Sequence, residues 1–327
     1  MAFEPHPWFI GLEGVEHSAE VARNLAWSAT GGGSGIITIN DLKVVAQTVP
    51  SDSVVIRPGG FVVESKYAGA SQQSYVERVP TSTTLEVPAT GSSGGATRYV
   101  VARVTDPDYP GGGTVPSVPN DGVYAAPYLV SSLSSSRTEI PLAKINQPAN
   151  TSAITNAMIT DLREMANPRV KIVNRARPSV TSDTGMKLNS TTGEYFPGDG
   201  DATGARQEID VPKWATRMIV EASWLSVMYE GGKNSYGRFW IGYGGTPNTY
   251  QTQTFYFNSP GTAADGMRAN WLLSDYRYVP PEVRGKNCYF SFMAMREPAS
   301  SGRPEMNSQS GLSLKVTFLE EPDPSTE

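Results

Sequence analysis

The chain has 327 residues and a formal net charge of -5. Its hydrophobic content of 39% and charged content of 18% are below globular averages, and 32 glycines and 25 prolines point to a turn-rich β protein of about two domains. The longest basic stretch, Arg169 to Arg177, reads as a solvated connector rather than a phosphate-tracking stripe, so nucleic acid is not an expected partner. No apolar run approaches the ~20 residues that span a bilayer, and membrane insertion is not expected.

The start, Met1-Ala2-Phe3-Glu4-Pro5-His6-Pro7-Trp8, has neither the basic nor the apolar region of a secretion signal. The expectation is a chain made in a cytoplasm that stays there or leaves within a larger assembly. Pro5 and Pro7 keep the arm extended, and Trp8-Phe9-Ile10 forms an apolar hook. An entry helix follows over Glu16 to Ala26 and stops at Gly31-Gly32-Gly33. Val15, Ala19, Ala22, Leu25, Ala26 and Ala29 fall near one face, with Glu16, Glu20, Arg23 and Asn24 opposite. That stripe of small residues suits close approach either to the chain's own sheet or to a symmetry mate.

From Ile36 the period changes to two. Strands are expected at 42–47, 53–57, 60–64, 73–78, 84–87 and 98–104, with Pro58-Gly59-Gly60 as a turn. Residues 106–135 read as loop, and 140–145 as a last strand feeding an exit helix over Ile154 to Arg163. Thr155 is its expected N-cap, Met158, Leu162 and Met165 share a face, and Pro168 ends it. The expected organisation is a small β domain flanked by two helices over 1–167, and a connecting arm over 168–206. An antiparallel, jelly-roll-like β-sandwich follows over 207–320, with an acidic flexible tail over 321–327. The sandwich strands are expected at 208–211, 218–225, 237–243, 252–257, 267–272, 287–294 and 312–319. The fold class is therefore mainly β.

Several stretches resemble one family. Glu16-His17-Ser18-Ala19-Glu20-Val21-Ala22-Arg23-Asn24-Leu25, Asp41-Leu42-Lys43-Val44, Arg57-Pro58-Gly59-Gly60, Ala102-Arg103-Val104-Thr105-Asp106-Pro107 and Ile154-Thr155-Asn156-Ala157-Met158-Ile159-Thr160-Asp161-Leu162-Arg163 resemble minor tail proteins of long-tailed phages infecting actinobacteria. Val211-Pro212-Lys213-Trp214-Ala215-Thr216-Arg217 and Gly311-Leu312-Ser313-Leu314-Lys315-Val316-Thr317-Phe318-Leu319 are similar to the distal β domain of the same proteins. The resemblance spans nearly the whole chain through diffuse structural motifs and carries no catalytic one. It implies a virion component at the tail tip, near the host-contacting end. It also implies a homotrimer with other tail-tip proteins as neighbours, and no cofactor.

Cys288 is the one cysteine, and His6 and His17, the only histidines, lie far away in sequence; Cys288 reads as a small core residue and not a nucleophile. Asp199, Asp201 and Asp210 have the oxygen spacing of a calcium loop, but no helices flank them and the twelfth position is not Glu, so an acidic turn is expected. Glu221, Glu230, Asp265 and Asp275 could supply the carboxylate pair of a polysaccharide hydrolase, which needs the two about 5–10 Å apart in a cleft. Asn150-Thr151-Ser152 and Asn189-Ser190-Thr191 match the glycosylation pattern by chance. Aromatic residues concentrate in the second half. Strand-borne Trp224, Trp240 and Trp271 are expected in the core, whereas loop-borne Tyr229, Tyr236, Tyr250 and Tyr276 are surface candidates, for stacking on a host cell-wall glycan or for a subunit interface. The reading is a non-enzymatic display protein, with a purely architectural tail subunit and a hydrolase as the alternatives.

Overall fold

The computed structural model describes residues 18–119, 122–177, 186–198, 204–245, 247–261 and 267–322. The hook at Trp8, both histidines, Val15, Glu16, Asp199, Asp201 and Asp265 lie outside them. The chain divides into two compact units, residues through Pro168 and Arg169–Glu320.

The first unit opens with helix α1, Ala19–Thr30. Ser18 caps it by accepting from the Glu20 amide at 3.1 Å, and Gly31 closes it in the left-handed conformation. The helix docks through the face expected to be outward. Arg23 Nε donates to Gln73 at 2.6 Å, a terminal Arg23 nitrogen donates to the Tyr109 hydroxyl at 2.9 Å, and the guanidinium lies 3.6 Å from Asp106. Trp27, one turn on, donates to Glu64 at 3.3 Å. No α1 residue is fully buried, and Ala19, Leu25 and Ala29 face solvent. A guanidinium among tyrosine rings (5.3 Å from Tyr75, 5.6 Å from Tyr109) anchors the helix more specifically than alanines can.

Ten strands follow: β1 Gly35–Ile36, β2 Val44–Ala46, β3 Ser53–Ile56, β4 Gly59–Glu64, β5 Ser74–Val79, β6 Thr83–Glu86, β7 Ala96–Val104, β8 Ala125–Val130, β9 Glu139–Gln147 and β10 Ile159–Asp161. They form three sheets, ordered β1-β4-β5, β2-β3-β6 and β10-β9-β7-β8. Alternate residues such as Val54, Ile56, Phe61, Val63, Val100, Ala102 and Ile145 meet in one core, as the period of two requires. β8 lies inside the stretch expected to be loop; Pro127 obscures it in sequence, yet proline is tolerated on an edge strand.

The exit helix does not form. Thr155 makes no side-chain cap, Asn156–Met158 is a single 3-10 turn, and Ile159–Asp161 is β10, paired with β9 through Ile159↔Ile145 and Asp161↔Ala143. Ile154, Thr155, Ile159 and Thr160 are β-branched and cost helix propensity, while β9 offers a row of backbone partners. Met165 still reaches the core, so its helical spacing from Met158 was coincidental.

The second unit is an antiparallel sandwich of β11 Val170–Arg177, β12 Met186–Lys187, β13 Glu194–Tyr195, β14 Arg206–Asp210, β15 Arg217–Met228, β16 Ser235–Gly244, β17 Tyr250–Gln251, β18 Phe255–Ser259, β19 Arg268–Tyr278, β20 Asn287–Arg296, β21 Glu305–Met306 and β22 Gly311–Leu319. One sheet runs β11-β22-β15-β21-β12, with β19 also on β15. The other runs β13-β20-β16-β17, with β14 on β20 and β18 on β16. Between them Trp224 is fully enclosed. Its ring centroid lies 4.8 Å from Phe292 and 5.1 Å from Phe239, and Trp271 stacks on Phe257 at 4.3 Å. Cys288 is a buried core residue.

Much of the expected connecting arm belongs to this sandwich. β11 pairs with β22 over eight residues, from Val170↔Leu319 to Arg177↔Leu312, and Leu188 and Phe196 are core side chains. β11 buries only Val173, and Lys171 Nζ donates to the Asp210 carbonyl at 2.9 Å. A strand with charges on its core-side positions is a protected sheet edge, and in sequence it looks like a basic connector.

Candidate binding groove

Strand parity decides which aromatic residues face outward. On β16, Phe239, Ile241 and Tyr243 enter the core, so Arg238, Trp240 and Gly242 point to the outer face. On β20, Cys288, Phe290, Phe292 and Ala294 point inward and Tyr289, Ser291 and Met293 outward. Register then assembles two outer rows. Tyr195 lies beside Met293, which lies beside Trp240; Arg206 lies beside Ser291, then Gly242, then Gln251.

Trp240 is therefore not a core residue like Trp224 and Trp271, although only 9% of it is exposed. It is covered from outside by loops. These leave a groove of about 540 Å³ lined by Gly193, Glu194, Tyr195, Trp240, Met293 and residues 247–251. That is a volume suited to a small ligand. Gly193 sits over the indole with φ +114°, and a Cβ there would stand 3.1 Å from the ring. Only glycine satisfies both the backbone and the approach.

The polar groups of the groove are held in place. Asn248 Oδ1 accepts from Ser291 Oγ at 3.1 Å, with the amide nitrogen against Gly242. Gly242 makes room for this amide, because a Cβ there would meet Asn248 Nδ2 at 2.4 Å. Glu194 Oε1 accepts from the backbone amides of Ser190, at 3.0 Å, and Asn189. Tyr250 stacks on core Tyr243 at 5.6 Å and donates its hydroxyl to Glu282. Arg206, in the next row, lies 3.8 Å over the Tyr289 ring and 5.8 Å from Tyr195.

The four tyrosines singled out from sequence are not brought together. Tyr250 borders the groove on β17, but its register with Tyr243 turns its ring to the core side. Tyr236 is on the same outer sheet, stacked at 5.9 Å on Tyr256, whose other neighbour is the Arg238 guanidinium at 5.1 Å. Tyr276 is exposed on β19, in the opposite sheet, and is strand-borne, not loop-borne. Tyr229 is no surface residue. It is buried, accepts from Trp271 Nε1 at 2.8 Å, and desolvation pushes its hydroxyl pKa up. Sequence reasoning missed Tyr195, Trp240 and Asn248. The signal for Trp240 was present: Arg238 and Gly242 share its parity, and neither belongs in an apolar core.

The carboxylates considered for hydrolysis have separate partners. Glu221 pairs with Lys315 at 2.8 Å, and Asp275 pairs with Arg277 at 2.7 Å and accepts from the Gln253 amide. Glu230 pairs with Lys233, which together with the Arg303 amide holds its carboxyl below the usual range. Asp210 accepts from Asn287 at 2.9 Å, and the described residues contain no group of three or more His, Cys, Asp or Glu placed to hold a metal.

No family model matches the chain, and no curated protein matches it. Among solved structures it is similar to the VP2 subviral particle protein of infectious bursal disease virus, with 12% identity over 88% of this chain and 68% of that one and a TM-score of 0.27. A D431N mutant VP2 of the same virus gives 12% identity over 94% and 80%, with a TM-score of 0.25. Dimeric latent PorU from Porphyromonas gingivalis gives 9% identity over 92% and 26%, with a TM-score of 0.27. Likenesses this low carry no weight for fold or role, and what the chain does has to be read from its own residues.

Proposed function

We propose that this chain is a structural component of a phage tail tip, assembled in the host cytoplasm, and that it displays its sandwich to bind a host cell-surface glycan without cleaving it. The observation that carries the binding reading is the outer-face groove, where Trp240 and Tyr195 are combined with the side chains of Asn248 and Gln251. Aromatic rings cover the apolar faces of sugar rings, and fixed amides satisfy hydroxyls. The virion reading rests on the sequence resemblance and fits a chain built of two compact β units. The test is retention of the full chain on purified actinobacterial cell walls. Retention that Trp240→Ala lowers at least tenfold supports it, and equal retention of both proteins counts against it.

A second, architectural reading is favoured by the outer face of the other sheet. Register aligns Ile172, Thr317, Ile219 and Tyr276 in one row across β11, β22, β15 and β19. Ile172 and Tyr276 are each at least half exposed. Such a row fits contact with a neighbouring tail subunit, a second copy in a homotrimer included. The two readings are compatible, because they use opposite faces of the sandwich.

A further inference from the structure

Resting on the glycan reading above, we infer that the sandwich binds a run of several sugars within a linear glycan, with the Trp240 groove as one subsite and an exposed tyrosine pair as the next. Phe257 of β18 enters the core, so Tyr256 points outward, on the same face as Trp240. Register lines up Met295, Arg238 and Tyr256 in a row directly beside that of Tyr195, Met293 and Trp240. Tyr236 follows one row further along β16. Successive rows on one face stand two residues apart, ~7 Å. That step is close to the advance of one sugar along an extended pyranose chain, so a glycan lying in the groove and running along β16 meets the tyrosines with its next residues.

The tyrosine pair is ordered before any ligand arrives. Tyr236 and Tyr256 are near-parallel, 19° apart with centroids at 5.9 Å. The Arg238 guanidinium lies 5.1 Å from the Tyr256 ring and is held by Glu297 at 3.2 Å. At these separations neither neighbour encloses the ring, and Tyr256 remains 56% exposed. A tyrosine fixed in this way presents apolar area at little further cost in side-chain entropy, which is what stacking on a sugar needs. Trp240 is 9% exposed, so the groove offers a sugar only a small part of the indole, and the tyrosine pair supplies the larger aromatic area.

The experiment is competition for retention of the full chain on actinobacterial cell walls. The competitors are soluble fragments of the glycan from those walls, sorted by length from disaccharide upward. Tetrasaccharides and longer fragments should compete about tenfold better per molecule than disaccharides. Tyr256→Ala should abolish most of that gain while leaving disaccharide competition and the thermal midpoint unchanged, and Tyr256→Phe should keep it. Equal competition by short and long fragments overturns the inference and leaves the glycan reading standing. A length gain that survives Tyr256→Ala comes from elsewhere, several copies on one glycan included, and overturns the assignment to this tyrosine pair. No retention on the walls overturns both the inference and the glycan reading.

Discussion

Arg169 and Glu320 clasp the two ends of the sandwich. The Arg169 guanidinium donates to both Glu320 carboxylate oxygens, at 2.8 and 2.5 Å, and the Arg169 amide donates to the same carboxylate at 3.1 Å. The arginine is largely exposed, but the Glu320 side chain is 5% exposed. The pair closes the register in which β11 meets β22. Arg169→Ala therefore leaves a buried carboxylate without its charged partner and should cost about 1–3 kcal/mol of stability. Glu320→Gln, which keeps an acceptor, should cost less. Chemical denaturation of both variants checks the order.

The aromatic centre should dominate stability. Trp224 has no exposed surface, donates its indole N–H to the Phe196 carbonyl at 2.9 Å and packs against Phe239, Trp271 and Phe292. Trp224→Ala should destabilise by about 3–5 kcal/mol, and Trp224→Phe by less, with Phe196 losing its donor in both. Trp240→Ala should cost clearly less than Trp224→Ala, because Trp240 lies outside the core cluster. Denaturation midpoints that rank the two alike would contradict the parity assignment.

These positions show what the sequence carries and what it hides. The sandwich strands were legible because apolar residues alternate along β15, β20 and β22, where one face is core. β16 was legible as a strand, but its run Phe239-Trp240-Ile241 is apolar throughout, so the outward direction of Trp240 is lost unless Arg238 and Gly242 set the parity. Tyr229 looked like a loop residue because it directly follows β15, and only the partner across the sheet, Trp271, shows it buried. The exit helix failed for a tertiary reason: a helical spacing of Met158, Leu162 and Met165 competed with an unpaired edge on β9 and lost. The groove itself depends on Gly193 and Asn248, loop residues brought over Trp240 by pairings distant in sequence.

Alkaline pH should weaken the second unit. Desolvation raises the pKa of the Cys288 thiol and of the Tyr229 and Tyr243 hydroxyls. The folded state then holds these protons where the unfolded chain has begun to release them. Their contribution is complete below the unfolded values and is lost as pH rises, first above about 8.5 for the thiol and then above about 10 for the phenols. A thermal-midpoint series from neutral to alkaline pH should show this fall, and Cys288→Ala should flatten its first limb. A midpoint that climbs through that window would contradict the burial of these groups.

Helix α1 should loosen when its arginine is removed. Arg23 holds Gln73, Tyr109 and Asp106 while no residue of α1 is fully buried, so the side chain supplies much of the docking. Arg23→Ala should cost about 1–2 kcal/mol locally and speed amide exchange over Ala19–Thr30 by roughly tenfold, with the second unit unaffected. Hydrogen exchange resolved by peptide reads both.

The measurement that bears most directly on the display role is a density map of the intact tail. The account predicts multiple copies of this chain at the tip, with the Trp240 groove open to solvent and the row from Ile172 to Tyr276 turned toward a neighbour. A groove filled by another subunit in every copy, or a particle without this chain, would contradict it.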